Sequence, residues 1–221
     1  RTSKWNTMIS PGRNKDRNYP AGPPRSSSMR WIICLESLFD SKVLSESGCD
    51  MGSYLNPGSA AFENSLRSKI YVDKSILITR INDLICTEQR FVCISRPRRF
   101  GKSMAANMLA AYYGREEDTA RLFDNLKISK TPNYREHLNK YNVIKINMQE
   151  FLSVSSSVDE MLERLKRYVL FDLLDTYAHL NFRDVNDLIQ VMKDIFSKTK
   201  CPFVILLDEW DCLFREYKQD K

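Results

Sequence analysis

The chain has 221 residues and a formal net charge of +6, from 34 Lys or Arg against 28 Asp or Glu. This length accommodates one α/β domain. No apolar run approaches the roughly 18 residues that a transmembrane helix needs, which excludes a membrane-spanning protein of that kind. The six cysteines show no paired metal-binding spacing, and a domain of this size does not need a disulfide framework, so we expect a reducing, cytoplasmic location.

The excess positive charge lies at the beginning of the chain. Residues 1–30 hold seven Lys or Arg and one Asp, which leaves 27 residues of each sign over 31–221. The same stretch is rich in Pro, Ser and Asn, a composition typical of disorder. We therefore predict a disordered segment or an extension over 1–50 and a folded domain over 51–221, whose balanced charge argues little for a nucleic-acid surface.

The first predicted elements of the domain are a helix and a strand. Ile and Leu recur at helical spacing over 76–86, and Asp73 and Lys74 just before them are candidates for contacts near a nucleotide base or for a helix cap. Residues 91–95 form an apolar run of strand length. Residues 103–113, rich in Ala, Met and Leu, predict a second helix that Gly114 ends.

Between that strand and that helix the chain reads Arg-Pro-Arg-Arg-Phe-Gly-Lys-Ser, over 96–103. It matches the phosphate-loop pattern G-x-x-x-x-G-K-[ST] except at its first position. A glycine permits close approach and a positive φ, a lysine reaches the β- and γ-phosphates, and a serine hydroxyl binds Mg²⁺. The three arginines could grip phosphate, or face solvent or nucleic acid. The predicted nucleotide-binding residues are Arg96, Pro97, Arg98, Arg99, Phe100, Gly101, Lys102 and Ser103.

Further along the chain, 143–148 predicts a strand and 158–177 an amphipathic helix, and Asp184 is the predicted N-cap of the next helix. The βαβαβ order predicts a parallel sheet with helices on both faces, whose lateral strand order the sequence leaves open.

The last apolar run, 204–207, ends at Asp208 and Glu209. Carboxylates that follow a buried strand lie at the sheet edge where open α/β folds bind ligands. Asp208 and Ser103 are the predicted Mg²⁺ ligands, and Glu209 and Lys102 the predicted catalytic residues, with Glu209 polarising the attacking water. The adjacent pair favours hydrolysis over transfer to a hydroxyl. The structural alternative is a strand that runs into a solvated acidic turn.

Three motifs resemble those of the bacterial AAA-ATPase-like proteins: 71–75, 95–103 and 207–211. The resemblance covers 51–221. It implies a P-loop NTPase fold that is incomplete at its C-terminal end, because the region after the acidic motif and the PD-(D/E)xK nuclease-like domain of many members are missing. Nucleic acid would be a partner through that missing domain or another protein. Met51 resembles the usual start of such proteins, which suggests that 1–50 is an upstream extension.

The sequence thus predicts an ATP-binding domain with Walker A and Walker B motifs that hydrolyses ATP with Mg²⁺, coupled to an unknown, DNA-linked task. The alternative is a nucleotide-gated binding or switch module with little or no turnover. An arginine finger supplied in trans would require an oligomer, and the sequence leaves that open.

Overall fold

The structure, a computed structural model, describes residues 34–35, 54–94 and 101–212. It contains four strands over this part of the chain: β1 (Cys34–Leu35), β2 (Cys93–Ile94), β3 (Asn142–Asn147) and β4 (Phe203–Asp208). The remaining elements are helical: α1 (Ala60–Leu66), α2 (Ile76–Ile85), α3 (Lys102–Tyr113), α4 (Ala120–Phe123), a 3₁₀ helix (Lys127–Lys130), α5 (Met148–Ser153), α6 (Val158–Thr176) and α7 (Leu188–Thr199).

The four strands form one parallel sheet in the order β2-β1-β4-β3. Strands β3 and β4 pair over their full length, from Asn142 opposite Phe203 to Asn147 opposite Asp208. A parallel pair needs a crossover connection, and α5, α6 and α7 lie between these two strands in the chain. The prediction of an α/β fold with a parallel sheet is confirmed.

The sheet separates two apolar clusters. Val143, Val204 and Leu206 belong to the cluster that contains the buried residues of α2 and α3. Alternate residues of the same strands, including Ile146 and Phe203, belong to the cluster of α5, α6 and α7. Because both faces are covered, β4 is almost continuously apolar, as the composition of 204–207 predicted. The predicted strand at 143–148 is present as β3.

Residues 54–56, which precede α1, form hydrogen bonds with the outer edge of β3. The backbone amide of Asn56 donates to the Val143 carbonyl at 2.6 Å. The Val143 amide in turn donates to the side-chain oxygen Oδ1 of Asn56 at 2.7 Å. The buried carboxylate of Asp172 on α6 accepts the amides of Tyr54 and Leu55 at 2.7 and 3.2 Å. This segment therefore satisfies backbone groups of β3 that a bare edge strand would leave open.

One predicted helix start is wrong. The helix of residues 188–199 is capped by Asp187, whose carboxylate accepts the amides of Ile189 and Gln190. Asp184 instead accepts the amide of Asn186 at 2.9 Å and closes a turn before the helix. Both aspartates can cap, and packing of the apolar face of α7 selects the later one.

Candidate functional site

The helix that follows the phosphate-loop motif begins at a residue in the left-handed conformation. Gly101 has φ 69° and ψ 45°, and α3 starts at the next residue, Lys102. This positive φ was predicted from the glycine, since other residues rarely adopt it. Of the predicted nucleotide-binding residues, Gly101, Lys102 and Ser103 are described. The other five, Arg96, Pro97, Arg98, Arg99 and Phe100, lie outside the described residues.

The side chains of the first turn of α3 differ sharply in exposure. Lys102 is buried, with 7% of its surface exposed, whereas Ser103 is exposed. The first amides of a helix have no partner within the helix, and its N-terminus carries a partial positive charge. The turn thus combines a lysine, a hydroxyl and the amides of a helix N-terminus, which are groups that bind phosphate and Mg²⁺.

A second lysine lies against the same glycine. Lys74 Nζ donates to the Gly101 carbonyl at 3.5 Å, and a Cβ added to Gly101 would lie 2.5 Å from that nitrogen. Two ammonium-bearing residues, Lys74 and Lys102, therefore flank the positive end of α3. Such a concentration of positive charge is suited to an anionic ligand.

The preceding residue, Asp73, has a structural role, which answers one question that the sequence left open. Its carboxylate accepts the amides of Ser75 and Lys127, both at 2.8 Å, and so ties the start of α2 to the 3₁₀ helix. Burial alone would raise the pKa of this carboxyl, but its hydrogen bonds with Ser75 and with the Lys127 amide, together with the charge of Lys127, lower it.

The acidic motif stands at the carboxyl end of β4. Asp208 is the last strand residue and is only 5% exposed. Glu209 has φ 56°, and its amide hydrogen-bonds to Asp208 Oδ1 at 3.1 Å. A positive φ is uncommon for a non-glycine residue, and such strained positions cluster at functional sites. The chain thus leaves the strand in a turn directly after Asp208.

The sheet register brings the two motifs to the same level. Leu35 of β1 pairs with Ile94 on one side and with Asp208 on the other. Ile94, which comes directly before the phosphate-loop motif, is therefore two strand spacings from Asp208, a separation of about 9–10 Å. A magnesium triphosphate is large enough to bridge such a gap, and the carboxyl end of a parallel sheet is where open α/β folds bind ligands.

Lys145 is a member of this region that the sequence analysis missed. It is half-buried in β3, and its Nζ donates a hydrogen bond to Asn107 Oδ1 on α3. Burial lowers the pKa of Lys145, and the carboxylates of Asp208 and Glu150 act in the opposite direction. A lysine that interrupts the apolar pattern of a strand covered on both faces was the available signal.

Comparison with known proteins identifies the family. Residues 59–221 match the family model described as "Predicted AAA-ATPase". The chain belongs to this predicted AAA-ATPase family. No curated protein and no solved structure matches it. Membership confirms the resemblance seen in the three motifs, and it makes nucleotide binding or hydrolysis, with ATP and usually Mg²⁺, the activity to expect of this AAA-ATPase-like chain.

The described residues of this AAA-ATPase-like chain fit a Mg²⁺ ion that a nucleotide helps to bind. Over the described ranges, no group of three or more His, Cys, Asp or Glu side chains forms a preformed metal site. Mg²⁺ usually takes one or two protein oxygens and completes its shell with water and phosphate. Ser103 and Asp208 supply oxygens of the kind it prefers. No helix in the described part of the chain is long and apolar enough to cross a membrane.

Proposed function

We propose that this chain binds ATP with Mg²⁺ at the carboxyl end of its parallel sheet, between the start of α3 and Asp208, and hydrolyses it. The observation that supports the proposal most directly is the pairing of Leu35 with both Ile94 and Asp208 across the sheet. It aligns the strand end before the phosphate-loop motif with the strand end that carries the acidic motif. The left-handed Gly101 at the start of α3 supports it, because that conformation lets backbone amides face a phosphate.

Each residue has a separate task in this proposal. The amides at the start of α3 and the Lys102 ammonium bind the β- and γ-phosphates and offset the charge that develops on them. Ser103 and Asp208 would hold Mg²⁺ through their side-chain oxygens. When bound, the metal neutralises phosphate charge and orients its oxygens. Glu209 positions the attacking water and accepts its proton, and its left-handed backbone turns it away from the strand axis.

The proposal is tested by titrating the 221-residue chain with Mg-ATP. Trp5→Phe and Trp31→Phe leave Trp210, next to Glu209, as the single fluorescent reporter among three tryptophans. Lys102→Ala is expected to weaken binding at least about tenfold, since a lost charge-assisted contact costs about 1.5–3 kcal/mol. Lys193→Ala is the matched control, because Lys193 is exposed on α7 and lies outside the proposed site.

Two results would count against the proposal. Equal affinities of wild type and Lys102→Ala for Mg-ATP would show that Lys102 of the phosphate-loop motif takes no part in nucleotide binding. A folded wild type that shows no saturable binding would refute the proposed function altogether. Hydrolysis is tested separately with Glu209→Gln. We expect this variant to bind Mg-ATP with near wild-type affinity but to lose turnover by about 100-fold or more, the usual contribution of a general base. Wild-type turnover that is negligible and unchanged in Glu209→Gln would instead support a nucleotide-gated switch.

A further inference from the structure

Lys145 and Asp208 share one face of the sheet on neighbouring strands. Lys145 pairs with Leu206, and Asn147 pairs with Asp208, in the continuous β3–β4 ladder. Paired residues of a ladder point to the same face, and alternate residues of a strand do too. Lys145 and Asp208 are therefore diagonal neighbours, a separation that a four-carbon side chain can cover.

The same face is covered by α3, the helix that begins the proposed phosphate site. Asn107 of α3 accepts a hydrogen bond from the Lys145 ammonium. The ammonium is thus positioned between a helix that carries Lys102 and Ser103 and the strand end that carries Asp208. This polar contact attaches the ammonium to α3 on the side of the sheet that also holds the apolar cluster of Val143, Val204 and Leu206.

The positive charge of Lys145 is of the sign that stabilises a buried carboxylate such as that of Asp208. Asp208 is only 5% exposed, and a buried carboxylate is favoured by a nearby opposite charge or by hydrogen bonds that replace its lost hydration. Lys145 supplies a charge of that sign from the neighbouring strand, on the same face of the sheet, and the carboxylates of Asp208 and Glu150 act to raise its pKa. Asn147 holds the Glu150 carboxylate on the same side, with a hydrogen bond of 2.9 Å.

We propose that Lys145 is the built-in counter-ion of Asp208 and that it sets how strongly nucleotide binding depends on Mg²⁺. A cation held beside a metal ligand opposes the approach of a second cation, so Lys145 reduces the advantage that bound Mg²⁺ gives to nucleotide binding. The same ammonium attracts metal-free ATP, so it strengthens that form. Lys145 is a positioning residue that acts through Asp208, and the inference depends on the proposed function of the site.

The test is the ratio of two dissociation constants, for ATP in EDTA and for Mg-ATP, measured by calorimetry on the full chain. Lys145→Met should raise this ratio about tenfold or more, because a nearby opposite charge lowers the affinity of a carboxylate for a cation by about that order. A residue that only stabilised the fold would change both constants together and leave the ratio constant. Lys145→Arg keeps the charge and should leave the ratio near that of wild type.

Lys140→Met is the matched control, since it removes the same charge from an exposed lysine just before the opposite end of β3. Lys145→Gln replaces Lys145→Met as the deciding variant if the latter does not fold, and the same increase is expected. A ratio within twofold of wild type, with Lys102→Ala still impairing binding, would overturn the inference while the proposed function stands. A wild type that binds neither form of ATP would refute both.

Discussion

Gly101→Ala is the sharpest perturbation of the start of α3. Gly101 has φ 69° and ψ 45°, a conformation that costs an L-residue roughly 1–2 kcal/mol because its Cβ approaches the following carbonyl oxygen. The substitution leaves the net charge and the helix length unchanged. It therefore tests local geometry and packing without changing the charge of the site.

A second cost comes from Lys74. The new Cβ would lie 2.5 Å from Lys74 Nζ, which is closer than real Cβ contacts allow. That nitrogen is the far end of a flexible side chain and can rotate away at a cost of about 0.5–1.5 kcal/mol or less. The backbone conformation should dominate, so we expect the free energy of unfolding to fall by about 1–2 kcal/mol. For a chain of this size the melting temperature should drop by about 2–4 °C per kcal/mol.

A double-mutant cycle separates the two costs. Urea unfolding, followed by far-ultraviolet circular dichroism, is measured for wild type, Gly101→Ala, Lys74→Ala and the double variant. Most of the loss caused by Gly101→Ala should persist in the Lys74→Ala background, since only the steric part depends on Lys74. A Gly101→Ala protein as stable as wild type would refute the left-handed start of α3. Disappearance of the loss in the Lys74→Ala background would show that the clash, not the backbone, determines it.

Two further predictions concern carboxylates outside the proposed site. Asp172→Ala should lower the free energy of unfolding by about 1–3 kcal/mol, because the amides of Tyr54 and Leu55 both donate to its Oδ2 and would lose that acceptor. Denaturant unfolding with an unchanged m-value would check it, and an unaltered midpoint would contradict it. Asp73 has a lowered pKa, so its ionised form contributes stability above the ordinary aspartate pKa, and that contribution disappears as pH falls through the lowered value. The stability difference between wild type and Asp73→Asn should therefore be largest near neutrality and shrink in acid, and a difference that stays constant from neutral pH into acid would exclude the carboxylate as its source.

Several elements could be predicted because their signals are local. The apolar periodicity of 76–86 and 158–177 predicted helices that the structure has at Ile76–Ile85 and Val158–Thr176. The run before the phosphate-loop motif was less well predicted, since Cys93–Ile94 form a strand but the described residues before them, 91–92, do not. A strand exists through pairing with its neighbours, and β1 pairs with just these two residues.

The sequence by itself determined which residue types stand where two strands end: a glycine and a lysine before α3, and an Asp-Glu pair after β4. It also allowed the positive φ that Gly101 adopts, because glycine takes that conformation without a steric penalty. These properties depend on a few neighbouring residues and on their chemistry.

Only the tertiary structure decided what lies beside them. In the sheet, Leu35 lies between Ile94 and Asp208. Lys74 lies against Gly101, and Lys145 lies on the face of the sheet that carries Asp208. Each of these placements joins segments far apart in the chain. They follow from inter-strand register and from packing of helices on both faces of the sheet, which no local pattern of residues encodes.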